Sequence, residues 1–182
     1  MSGIRMALSL VPAFSAGLVL PVFGQDTQAI IGDALSAAPP QIAANAKVMT
    51  MEGETLKEGD GAYTCFPGVE GGPGPMCLDS EWMRWADAWM NKKDSFQPNG
   101  VGLAYMLAGD MPGGGASNID PFAMEATPDN EWVTEGPHLM VILPDPAALE
   151  AIPTDPDAGV PYVMWKGTPY AHIMVPVAER PQ

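Results

Sequence analysis

The sequence predicts an α+β domain, a mixed and largely antiparallel sheet with one tryptophan-rich helix packed on it and one disulfide. Three observations lead there. Short alternating apolar runs, separated by Gly, Pro and Asp turns, recur along most of the chain and read as strands. Residues 80–92 alone carry a long, broad helical stripe. The only two cysteines, Cys65 and Cys77, bracket a segment too rich in Gly and Pro to hold its own shape. A length of 182 residues without an internal repeat or linker fits a single domain.

The first segment reads as an address. After Arg5, residues 6–23 carry no charge, and Val22-Phe23-Gly24 fits a signal-peptidase site, so residues 1–24 are expected to be a signal peptide and 25–182 the single exported domain. An uncleaved anchor is the competing reading, since a run of this length barely spans a bilayer. Pro12, Ser15, Gly17 and Pro21 interrupt the run, and no cysteine stands at the junction to carry a lipid. The expected location is periplasmic or extracellular, with no stable membrane insertion after cleavage. The net charge of −14 makes phosphate backbones and anionic lipid surfaces poor partners, so nucleic-acid binding is not expected.

Residues 27–37 form a helix, with Ile30, Ile31, Ala34 and Leu35 on one stripe and Pro39-Pro40 at its end. Residues 46–51 and 54–57 flank Glu52-Gly53 as a hairpin, and 62–66 form a strand reaching the first cysteine. In an oxidising compartment a Cys65–Cys77 disulfide would contribute about 3 kcal/mol by constraining the unfolded chain. A Cys2His2 zinc site is the alternative, against which the eleven-residue gap between the cysteines counts.

Residues 80–92 follow a natural N-cap, Asp79, and end at Lys92-Lys93, where cations suit the helix dipole. Trp82, Trp85, Ala86, Trp89 and Met90 make one apolar face, with Met83 at its edge; such a stripe can line a groove but more commonly faces a core. In the strand 100–107, Gly102, Ala104 and Met106 leave one face nearly bare, inviting the tryptophans to approach. Residues 108–130 are a long irregular stretch, of a length that tends to be functional or mobile. A central strand at 138–143, a short helix at 145–152 with Pro146 after its Asp145 cap, a strand at 160–165, a turn at 166–169 and a last strand at 170–177 complete the chain.

One constellation stands out. His138-Leu-Met140-Val is echoed by His172-Ile-Met174-Val, and these are the only histidines. Strand alternation puts each histidine on the same face as the methionine two residues on. A crossover through 144–159 would let strand 160–165 run parallel to 138–143 and lie between the two His-x-Met strands, adding Met164. His138, Met140, Met164, His172 and Met174 would then surround one ion, and imidazole with thioether is the ligand set that suits Cu(I). The pattern is similar in ligand type to the His/Met copper carriers of bacterial periplasms, a likeness that covers two three-residue motifs. It implies copper as the cofactor and a carrier role. The same residues serve equally as core filler, since Met adapts to irregular gaps and a buried His can bond to a carbonyl.

Two further readings compete. Trp132, Tyr162, Trp165 and Tyr170, if exposed near the same strand ends, could stack on a small molecule or glycan. A structural or interaction protein without a ligand, its protein partner unidentified, is the other. An enzyme finds little support: there is no Gly-x-Ser-x-Gly and no His-Glu-x-x-His, and Ser117 after glycines 113–115 is a weak nucleophile candidate. Asp110, Asn118 and Asp120, or Asp155 and Asp157, lack the spacing of a calcium loop. The expectation is a non-enzymatic binding protein for a metal ion or small ligand.

Overall fold

A computed structural model describes residues 23–180. Residues 1–22 of the expected signal peptide lie outside the described residues. Helix α1 (Phe23–Ser36) begins across its last two positions. Pro39-Pro40 ends this helix as expected, yet Pro40 also opens a four-residue helix, α2 (Pro40–Ala43), where its fixed φ and missing N–H are tolerated. β1 (Lys47–Met49) and β2 (Thr55–Lys57) form the expected hairpin. β3 (Thr64–Phe66) lies parallel to β1. β4 (Met76–Leu78), a strand that the sequence pattern does not reveal, pairs antiparallel with β3 and sets Cys77 opposite Cys65, where the two form the disulfide.

Helix α3 (Ser80–Met90) starts as its sequence dictates: Asp79 accepts the Trp82 N–H at 2.9 Å through one carboxylate oxygen and the Leu103 N–H at 2.6 Å through the other. It ends in a Schellman motif, with Lys92 N–H on Trp89 O at 3.0 Å and Lys93 N–H on Ala88 O at 2.9 Å. Lys92 thereby takes φ +48°, in a position that glycine ordinarily fills. The buried face is turned slightly from the expected one: Trp82, Trp85 and Ala88 are buried, while Met90, in the last turn, is exposed.

β5 (Gly102–Met106) packs under α3. A Cβ on Gly102 would stand 3.0 Å from the Glu81 Cβ and 3.2 Å from the Trp82 ring, which is why a bare strand face meets the tryptophans here. The irregular stretch holds a two-stranded ribbon of β6 (Ala116–Ser117) and β7 (Trp132–Val133). β8 (His138–Ile142) follows. The helix expected at 145–152 is one 3-10 turn, Pro146–Leu149, capped by Asp145; Pro153 disfavours helical geometry at the residue before it and cuts the run short. β9 (Tyr162–Met164) and β10 (His172–Pro176) finish the chain.

The eight strands of the main sheet run β2-β1-β3-β4-β5-β8-β10-β9. One expectation is corrected. β9 does run parallel in direction to β8, but it lies at the sheet edge, and β10 inserts between the two, antiparallel to both. The residues of β9 are as buried as those of β10, so length separates the two: β10 has five residues, four of them paired with β8, whereas β9 has three.

The single domain has two cores back to back. On one face α3 covers β5, β8, β10 and β9 through Trp82, Trp85, Ala104, Met140, Ile142 and Met174, each large side chain contributing about 2 kcal/mol by burial. On the other, α1 covers the first half through Ile31, Ala34, Val48, Cys65 and Cys77, and Leu149 covers Val163 and Ile173 in the second half. Among the described residues no helix is long and apolar enough to cross a membrane.

Candidate functional site

Register decides where the echoed motifs meet. On the α3 face, Met106, His138 and Pro176 form one row across β5, β8 and β10. Ala104, Met140, Met174 and Tyr162 form the next. His172, with Met164 directly opposite it, begins the third, beside Ile142 and Gly102. His138, Met140, Met164, His172 and Met174 therefore share a single face, as the alternation requires. Because β8 and β10 are antiparallel, the methionines meet in the middle and the histidines go to opposite ends.

Two rows separate the imidazoles, about 13 Å along the strand direction at 3.3 Å per residue. The ring of His138 is tied by Nδ1 to Gly136 O at 2.7 Å, and that of His172 to Tyr170 O at 2.9 Å. Each carbonyl lies two residues back along its strand, on the side away from the other histidine. A centre holding both imidazoles is corrected to two separate environments.

The His172 end is aromatic. Its ring meets Trp82, Trp85 and Trp165 edge to face, with centroids 5.2, 5.5 and 5.1 Å away. Burial lowers its pKa to about 4, aided by the charge of His138 and opposed by the Tyr170 carbonyl, so the ring is neutral at ordinary pH. A carbonyl can only accept, so Nδ1 carries the proton and Nε2 the lone pair. Met164 stands opposite and Met174 two residues along, both buried. The Trp82 indole N–H, buried beside this ring, has no hydrogen-bond partner.

The His138 end is ionic. Glu135, 2% exposed, accepts through Oε1 from the Tyr162 hydroxyl at 2.7 Å and from Arg180 Nη2 at 2.7 Å and Nε at 3.1 Å. Its Oε2 is buried without a partner. Arg180 also bonds Asp157 and the Pro156 carbonyl, which pins the end of the described chain. The Glu135 carboxylate holds Arg180 firmly charged, while burial and the same carboxylate push the Tyr162 hydroxyl well above its usual range. Asp110 accepts the Glu135 N–H at 2.7 Å; burial raises its pKa, against the pull of that N–H and of His138.

Sequence reasoning missed Glu135 and Arg180, and weighed Asp110 only as a calcium ligand rather than as a partner of Glu135. Glu135 and Asp110 are two of 22 acidic residues, and no pattern separates them from solvated ones. Arg180 carries the better signal, a lone base near the end of an acidic chain.

The aromatic platform is corrected as well. Tyr162, Trp165 and Tyr170 are buried in the core, and Trp132 is half-buried with its N–H on Gly114 O at 3.3 Å. Ser117 is not a free nucleophile: its hydroxyl donates to Asn130 O at 2.6 Å and accepts the N–H groups of Ile119 and Asp120. Asp120 and Asp155 accept from main-chain N–H groups two residues ahead, the ordinary work of turn aspartates. Among the described residues no three His, Cys, Asp or Glu side chains converge as a metal site, so any metal here would need methionine sulfur. Compared with family models, with curated proteins and with solved structures, the chain matches none.

Proposed function

We propose that the chain is an exported, non-enzymatic binding protein that carries copper(I) on His172, Met164 and Met174. The supporting observation is the register that puts Met164 opposite a neutral imidazole and Met174 on the same face two residues along. Thioether sulfur and a lone-pair Nε2 need no deprotonation at ordinary pH, and the enclosing indoles exclude water, which suits a soft monovalent ion. Met140, opposite Met174, is the next sulfur within reach. His138 takes no part in this reading. Export rests on the uncharged run 6–23 and on the disulfide, which suits an oxidising compartment.

Titration of the purified protein with Cu(I) against a competing chelator tests it. Wild type takes one ion per chain; His172→Gln and the double variant Met164→Leu/Met174→Leu lose about tenfold or more in affinity, or about 1.4 kcal/mol. His138→Ala leaves the stoichiometry unchanged. Equal curves for wild type and His172→Gln, or no uptake against the chelator, defeat the proposal. They would support a protein in which these side chains only pack, a reading favoured by the three edge-to-face indole contacts that already surround His172.

A further inference from the structure

Beside the His172 end, four rings lie nearly parallel: Trp165 on Trp85 at 5.6 Å and 4°, Trp85 on Trp89 at 6.2 Å and 11°, and Trp89 on Phe122 at 6.4 Å and 13°. The first three are fixed by α3 and by the end of β9. Phe122 is not. It arrives on the loop between β6 and β7, which has no regular structure of its own. The Lys92 ammonium sits over the same ring, 5.0 Å from its centroid. Phe122 thus fills a slot bounded by a parallel indole and a cation.

Three features mark that filling as exchangeable. Lys92 holds a left-handed position better suited to glycine, and its side chain is what caps the slot. The neck of the loop, where Asn118 N–H bonds Glu131 O at 2.9 Å, contains a left-handed Glu131 and a buried Asn118 Oδ1 without a donor, two local costs that a rearranged loop can relieve. A groove of about 250 Å³ opens beside Phe122, between Lys92, Pro121, Thr168 and Tyr170. The Tyr170 ring meets Phe122 edge-on at 5.6 Å and walls the slot.

We propose that this slot binds a planar, electron-rich aromatic small molecule, which displaces Phe122, stacks on Trp89 and takes the Lys92 ammonium over its ring. The negative face of such a ring attracts the ammonium, and its flat surface stacks offset on the indole by dispersion, whereas a saturated ring of the same size loses the cation–π attraction and the flat contact. Phe122 acts as an internal competitor, so the affinity of the free protein is reduced by the fraction of time the slot is filled. The proposal does not require a metal.

Calorimetric titration of the purified chain with 2-naphthol, and with decahydro-2-naphthol as its saturated counterpart, tests it. Wild type is expected to bind one 2-naphthol, with the saturated alcohol about tenfold weaker or more. Phe122→Ala should tighten 2-naphthol binding about tenfold by removing the competitor. Lys92→Gln, at an exposed site, should weaken it about threefold, and Trp89→Leu about tenfold. Wild type that takes both alcohols equally, or a Phe122→Ala chain that binds 2-naphthol no tighter than wild type, overturns it. Should Trp89→Leu unfold, the Lys92→Gln comparison still decides, since unchanged affinity there removes the cation–π contact and with it the proposal.

Discussion

His138 and His172 begin the same His-x-Met-Val pattern, on adjacent strands and on one face of one sheet, yet they stand in opposite surroundings. His138 lies at the ionic end, near Asp110 and the Glu135–Arg180–Tyr162 cluster. His172 lies in a cage of three indoles, its hydrogen bond given by Nδ1 to the Tyr170 carbonyl. Antiparallel pairing is the whole cause, because it sends matching ends of two like motifs in opposite directions. A motif repeated in sequence thus marks a shared face, and strand direction decides whether it marks a shared site.

The contrast is most severely tested by truncating the cage. Trp85→Ala removes the ring in contact with Trp82, Trp89, Trp165, Tyr170 and His172 and should cost about 4 kcal/mol in denaturant unfolding. At the other end, Arg180→Met leaves a buried carboxylate with only the Tyr162 hydroxyl and should cost about 3 kcal/mol. Adding Glu135→Gln to that variant should recover more than half of the loss; no recovery would mean that the pair matters only by packing the tail.

The pH dependence of the metal-free protein separates the two ends further. Burial holds His172 at a pKa of about 4, below its ordinary 6.5, so between those values the unfolded chain binds a proton that the native one does not. This contribution is fully present above pH 6.5 and is lost as the pH falls towards 4, by about 3 kcal/mol in all. His172→Gln should flatten that part of the stability profile, while His138→Gln, outside the cage, should remove only the smaller share that its charge contributes. Lys92→Gly is the gentlest change: relief of the left-handed backbone should stabilise the chain by about 1 kcal/mol while weakening capture of an aromatic ring.

Local chemistry in the sequence foretells much of this fold. Asp79 caps α3, Gly102 admits Trp82, Asp145 caps the turn at 146, and Cys65 finds Cys77, because each depends on neighbours or on a bare strand face. The order of the last three strands was not legible in this way, since residues 160–165 and 170–177 both read as apolar strands and only their competition for the interior places β10 inside. The site divides along the same line. That the five His and Met side chains share a face follows from alternation, whereas their separation into two ends follows from register, which no run of residues encodes by itself. Phe122 and Arg180 lie further still from sequence reasoning, each delivered by irregular chain to a position set by other elements.

The place of β10 also governs when the molecule can fold. Residues 172–176 bridge β8 and β9, so the edge strand has nothing to pair with until β10, which follows it in the chain, is in place. Until then β9 lacks its ladder partner, and His172 is missing from among Trp82, Trp85 and Trp165. Closing the edge of the sheet is thereby a late event in assembly, because it waits on a strand that must first pair with β8.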